Sequence, residues 1–226
     1  MNSIANVAIH ASQFPENVRR DLIASLRSRR VNHKFHYDSV KQAQKWLALH
    51  EAHSPARYDK DCVATYDRAF IAATSQIKPK RVHVIGLGCG GGQKDVRLLK
   101  LLKADGKKIS YAPCDVGVAM TLVARKAALE VLPEAKCFPL VCDLATADDL
   151  SAAYDSRFTI HDSRLLTFFG MIPNFEPQNI LPKLASLVRP KDYLLFSANL
   201  APGKDYAAGV RKVLPNMTIQ PRTSGC

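Results

Sequence analysis

The sequence predicts an α/β protein with a mostly parallel sheet and helices on both faces, preceded by an N-terminal helical segment. Three observations carry that prediction. From residue 81 onward, short apolar runs alternate with longer amphipathic ones, the pattern of βαβ units whose strands lie side by side in one direction. At one strand-to-helix junction stands GLGCGGGQKD, residues 86–95, with five glycines in its first seven positions. Two of the later apolar runs end on an aspartate, Asp115 and Asp143.

The elements follow in chain order. Residues 15–30, 39–51 and 58–76 are patterned as helices. Residues 31–38 separate the first two, and HSPAR at 53–57 separates the next pair because its proline disfavours a continuing helix. The apolar run RVHVI, 81–85, opens a strand at 82–87, and VRLLKLL at 96–102 places its leucines on one face of a helix at 92–104. The alternation repeats as strand 109–114, helix 117–132, strand 137–142 and a short helix 146–153. Strand 164–169, helix 177–188 and strand 192–199 complete it. A short helix at 205–213 precedes a tail made irregular by its prolines. Residues 1–78 are expected to form a helical cap on the substrate side, and 79–226 a cofactor-binding domain with an incomplete C-terminal sheet edge.

A chain of 226 residues that is 47% hydrophobic can bury a sizeable core. No apolar run approaches the roughly 18 residues needed to span a bilayer, which argues against membrane insertion. The first residues lack a basic region followed by an apolar stretch, so a cytoplasmic location is the expectation. Six cysteines without a CxxC pair argue against zinc and against a disulfide framework. The net charge of +12 favours polyanion contact in general. The basic group Arg19, Arg20, Arg27, Arg29, Arg30 and Lys34 surrounds Leu22, Ile23 and Leu26 at helical spacing, and reads better as a solvated helix face than as a nucleic-acid arm.

The glycine-rich junction has a chemical meaning in a parallel sheet. Ligands settle at the carboxyl ends of the strands, where glycine lets them approach the main chain and the next helix offers unpaired N–H groups. Gly86, Gly88 and Gly91 satisfy GxGxxG, as in dinucleotide sites, while Gly86, Gly88 and Gly90 satisfy GxGxG. Spacing alone leaves both open. Asp115 at the tip of the second strand can accept from a ribose diol, and Asp143 at the tip of the third can accept from an adenine amino group, which favours S-adenosylmethionine. Each aspartate also has an ordinary reading as a helix cap.

Further motifs make the chain similar to the histidine-specific, S-adenosylmethionine-dependent methyltransferases. RRD at 19–21 and FHYD at 35–38 resemble that family's "RRD" and "FYD" signatures, and HSPAR at 53–57 its "YYPTR" segment. Gly88 to Gly90 with Lys94 match "GSG…K", Asp115-Val116 and Cys142-Asp143 match "DV" and "GD", and FFGMIPNF at 168–175 resembles "FLGSTIGN". The resemblance implies a Rossmann-like class I methyltransferase fold that uses S-adenosylmethionine to methylate an amino acid or other small amine. It further implies cofactor contacts from Tyr37, Gly86, Gly88, Cys89, Gly90, Lys94, Asp115, Asp143 and Leu144, with Phe169 and Gly170 at the reacting end. Asn174 would meet the amine as the catalytic residue, and His53 stands where the family has a substrate-facing tyrosine. No metal is implied.

The chain departs from that pattern in three places. Gly86 replaces an acidic residue, Pro173 sits in a loop one residue shorter, and only 27 residues follow Asn199 where the family continues further. Three other readings therefore stand beside the first: a non-catalytic or partner-dependent cofactor-binding protein, with a partner or second copy at the open sheet edge; a nucleic-acid methyltransferase, prompted by charge but not favoured; and a nicotinamide oxidoreductase. The last trails because no Tyr-x-x-x-Lys pair follows and Asp143 would have no task.

Overall fold

The computed structural model describes residues 5–155, 163–198, 204–205, 207–209 and 211. Its centre is one six-stranded sheet in which every pairing is parallel. The strands are β1 (Ala8–Ile9), β2 (Arg81–Leu87), β3 (Lys108–Asp115), β4 (Leu140–Val141), β5 (Ser163–Phe169) and β6 (Tyr193–Ser197), in spatial order β1-β4-β3-β2-β5-β6. The helices are α1 (Pro15–Ser28), α2 (Val40–His53), α3 (Pro55–Tyr58), α4 (Lys60–Gln76), α5 (Gln93–Ala104), α6 (Val118–Ala128), α7 (Leu150–Asp155) and α8 (Pro177–Leu187).

Two cores explain why the layers hold. On one face Val82 and Val84 of β2 and Tyr111 of β3 pack with Leu98, Leu99 and Leu102 of α5, Phe70 of α4 and Ala128 of α6. On the other, Ile85, Leu87, Ala112 and Phe168 pack with Leu150 and Tyr154 of α7 and Ile180 and Leu184 of α8. The near-continuous apolar composition of β2, β3 and β5 follows from this burial on both sides. The chain leaves β2 toward β3 and β4 in one direction and returns to β5 and β6 on the other. The crevice between β2 and β5 is therefore a topological switch point, where open α/β sheets bind ligands.

The α/β class and the parallel sheet match the expectation from sequence. The third expected strand, 137–142, is reduced to Leu140–Val141 plus an isolated bridge from Tyr111 to Cys137. Pro139 between them has no N–H to donate, so the ladder breaks there. A sixth strand, β1, was not anticipated; its two residues add to the edge of β4 through Ala8 N–H to Pro139 O and His10 N–H to Val141 O. The first helix stops at Ser28 because Arg29 turns left-handed, φ 55°. Pro55 ends α2 but begins α3, and Asp59 restarts the chain as α4 by accepting from the Cys62 N–H at 2.8 Å. Of the helix expected at 205–213, residues 207–209 and 211 are helical and the others that the sequence places in it lie mostly outside the described residues, as does the end of strand 192–199. No helix among the described residues is long and apolar enough to cross a membrane.

Candidate active site

The tips of β2, β3 and β5 and the segment after β4 converge on a cavity of about 370 Å³, with residues 33–66 of the N-terminal segment facing them across it. That size falls within the range of small-molecule pockets. The β2–α5 loop forms its floor. Gly90 has φ +53°, and a Cβ there would lie 3.0 Å from the Trp46 ring; Gly92 has φ +76°, and a Cβ would lie 2.9 Å from the Ala124 backbone of α6. Both positions need glycine, one for the bend and the other also for close approach of two helices.

Asp115 ties the loop to the next strand. Its carboxylate accepts from Gly90 N–H at 2.9 Å and from Gly117 N–H at 3.3 Å. Burial pushes this carboxyl up, opposed by the N–H groups of Gly90, Gly117 and Val116. It is a loop anchor rather than the cap of α6, whose N-cap is Gly117.

Asp143 is buried among further charges. Its Oδ2 accepts from Lys34 Nζ at 3.1 Å, its Oδ1 accepts from Ala145 N–H at 2.9 Å, and Lys34 also reaches Asp21 at 2.5 Å. Lys34, grouped from sequence with a solvated basic face, is 2% exposed, while the five arginines of that group are exposed as expected. The Lys34 bond thus joins α1 and the tip of β4. Burial is the largest single influence and raises the Asp21 carboxyl, but the bonds and charges of Lys34 and Arg20 together outweigh it and hold it below its ordinary value.

Two adjacent residues of α5 bring opposite charges to the same cavity. Lys94 Nζ lies 4.7 Å from the centroid of the Tyr66 ring, a cation–π contact. Asp95 is 2% exposed and accepts from Tyr111 Oη at 2.6 Å and Thr167 Oγ1 at 2.7 Å. Aromatic groups form the opposite wall: Trp46 stacks on His50 with centroids 4.8 Å apart, Tyr37 meets Trp46 edge-on, and His33 meets Phe175 edge-on at 5.0 Å. Burial lowers the basicity of His33, opposed by Asp143, and lowers that of His50 with help from Lys94 and Arg57. Beyond β5, Asn174 sits exposed in a short turn of 3-10 helix, its Nδ2 donating to Met171 Sδ at 3.6 Å.

Of the residues singled out from sequence, Tyr37, Gly88, Cys89, Gly90, Lys94, Asp115, Asp143, Leu144, Phe169, Gly170 and Asn174 all line this cavity. Gly86 and His53 do not. His53 is the exposed last residue of α2; His50, one turn earlier, is the cavity histidine. Gly86 lies inside β2, where a Cβ would fall 2.3 Å from Asp95 Oδ2 and 2.9 Å from Tyr111 Oη. Gly86→Ala should therefore cost about 1–3 kcal/mol of stability by overpacking, read as a lower midpoint in urea unfolding; an unchanged midpoint would contradict this packing. Lys34, Trp46, His50, Tyr66 and Asp95 were not anticipated. Trp46 with His50 and Tyr66 with Phe70 stand four apart on helices, a spacing that places each pair on one face and is the only sequence signal for them.

A glycine cradle and paired strand-tip carboxylates at the switch point of a parallel sheet define a Rossmann-like protein of the class I methyltransferase type. The profile of the family described as "Histidine-specific methyltransferase, SAM-dependent" matches residues 18–206, and the chain belongs to that family. No curated protein matches the chain. Among solved structures, an S-adenosylmethionine-dependent methyltransferase from Geobacter sulfurreducens in complex with S-adenosyl-L-homocysteine is 17% identical, with a TM-score of 0.42 over 66% of this chain and 55% of that one. Geranyl diphosphate methyltransferase in complex with GPP and sinefungin is 10% identical, with a TM-score of 0.43 over 67% and 53%. The [4+2]-cyclase SpnF is 15% identical, with a TM-score of 0.45 over 96% and 73%. The chain spans about half the length of the first two.

The residues present fit the family's cofactor. A glycine loop lining the cavity, buried carboxylates at two strand tips and a lysine with no carboxylate partner among the described residues suit a nucleoside carrying an amino-acid tail.

Proposed function

We propose that the chain is an S-adenosylmethionine-dependent N-methyltransferase acting on an amino acid or another small amine. The observation that carries this reading is the meeting, in one cavity, of the glycine loop, Asp115, Asp143, Lys94 and Asn174. When bound, the cofactor supplies a methyl group already activated by a sulfonium, so the chain needs no covalent nucleophile. Gly88 to Gly91 let the ligand approach the main chain, Asp115 accepts from the ribose hydroxyls, and Asp143 with Leu144 receives the adenine. Phe169 and Gly170 border the reacting end, and the rings of Tyr37, Trp46 and Tyr66 keep water away from it.

An amine attacks only when neutral, and ordinary α-amines deprotonate near neutral pH with modest help. His33 and His50, kept neutral by burial, stand as proton acceptors in the cavity wall, and the Asn174 side-chain carbonyl orients the amine lone pair. Within the N-terminal segment, residues 33–66 serve as the cap on the acceptor side. The wall they contribute is what separates this cavity from a bare nucleotide site.

The test is a calorimetric titration with S-adenosylmethionine, S-adenosyl-L-homocysteine and NAD, followed by a mass-shift screen of amines that includes histidine. Binding of NAD alone would overturn the reading. Asn174→Ala should lower turnover roughly 10- to 100-fold, the loss expected of an orienting group, with affinity for S-adenosyl-L-homocysteine changed less than about twofold. Equal losses in both would remove Asn174 from the acceptor side.

A further inference from the structure

Of the three buried carboxylates among the described residues that line the cavity, Asp95, Asp115 and Asp143, Asp95 is the one that the proposed function leaves without a task. Its carboxylate lines the pocket and is 2% exposed, yet among the described residues no cation forms an ion pair with it. Two hydroxyls, Tyr111 Oη at 2.6 Å and Thr167 Oγ1 at 2.7 Å, hold it in place. Both come from the sheet, Tyr111 from β3 and Thr167 from β5, so the carboxylate is fixed from two directions. The space it fills exists because residue 86 has no side chain: a Cβ there would lie 2.3 Å from Asp95 Oδ2. Burial of an anion without a counter-ion is costly, and burial accordingly raises this carboxyl, with Tyr111, Thr167 and Lys94 opposing.

A cationic group entering the cavity would relieve that cost. Lys94, the preceding residue, offers the complementary charge: its ammonium rests on the Tyr66 ring without a carboxylate partner among the described residues. Successive residues of α5 thus present a cation and an anion to one pocket. An α-amino acid group, which carries an ammonium and a carboxylate on one carbon, matches that pair.

Resting on the cofactor reading, we propose that Asp95 binds the primary ammonium of the cofactor's amino-acid tail while Lys94 binds its carboxylate. The carboxylate reaches the site from helix α5, through the gap that Gly86 leaves in strand β2.

The experiment compares three ligands on the full chain by calorimetry: S-adenosyl-L-homocysteine, its desamino analogue, and 5′-methylthioadenosine, which lacks the amino-acid group. Wild type should bind the first roughly tenfold or more tighter than the desamino analogue, the scale of a charge-assisted hydrogen bond. Asp95→Asn, close in shape, should erase most of that difference and leave 5′-methylthioadenosine within about twofold of its wild-type affinity. Equal wild-type affinity for the first two ligands would overturn the assignment while the cofactor reading stands, and that comparison needs no variant. A variant that weakens all three ligands alike would show a purely structural carboxylate and also overturn it. Failure of wild type to bind any of the three would sink the cofactor reading, and this assignment with it.

Discussion

Lys34→Met is expected to lower the unfolding free energy by about 3–5 kcal/mol, the usual consequence of removing one partner from a buried ion cluster. The methionine keeps most of the buried stem, so the loss is mainly electrostatic. It leaves Asp143, 2% exposed, and Asp21, half-buried at the surface of the network, without their shared cation. Two carboxylates then face each other across the gap between α1 and the tip of β4. Adding Asp143→Asn should recover part of the loss, because it removes one of the stranded charges; urea unfolding of the two singles and the double measures this coupling. Simple additivity would show that the three groups do not act together. The wild type should also weaken in acid. The Asp21 carboxyl is held below its ordinary 3.8, so its contribution is present at neutral pH and is lost as pH falls below that value. Lys34→Met should lack that part of the acid dependence.

Asp115→Ala is expected to reduce affinity for S-adenosyl-L-homocysteine by about 100-fold or more, since two effects combine. The carboxylate that would accept from the ribose hydroxyls is gone, and each charge-assisted hydrogen bond contributes on the order of 1.5–3 kcal/mol. The Gly90 and Gly117 N–H groups also lose their acceptor, so the glycine loop is no longer tied to β3. Asp115→Asn separates the two effects: one carbonyl oxygen can still accept from Gly90, and the loop should hold while ligand affinity falls less steeply. Calorimetry measures affinity, and the melting temperature reports the loop. If Asp115→Ala bound the ligand as the wild type does, the placement of the ribose at this aspartate would be wrong.

Much of the architecture was legible because it is written in short-range patterns. Leucines at helical spacing in α5 and apolar runs in β2, β3 and β5 reveal their elements within a turn or a pleat. The glycine junction and the two strand-ending aspartates were legible for the same reason: position at a strand tip is a local property, and strand tips of a parallel sheet share one edge. What escaped depended on partners far along the chain. A two-residue strand such as β1 carries no periodicity and exists only because β4 offers an edge. His53 and His50 differ by one helical turn, and only the packing of α2 against the cavity chooses between them.

The charges show the division most clearly. Asp95 lies inside the glycine-rich stretch itself, but its role depends on Tyr111, Thr167 and the space over Gly86, which come from three strands. Lys34 looked solvated among its arginine neighbours, yet it is buried against a carboxylate 109 positions later in the chain. By itself, the sequence determined a parallel α/β sheet with a glycine-rich loop after β2, because backbone conformation follows the periodicity of near neighbours. Only the tertiary structure decided which ionic groups leave water and which side chains wall the cavity, because desolvation is set by everything that packs around a group and not by the residues beside it in sequence.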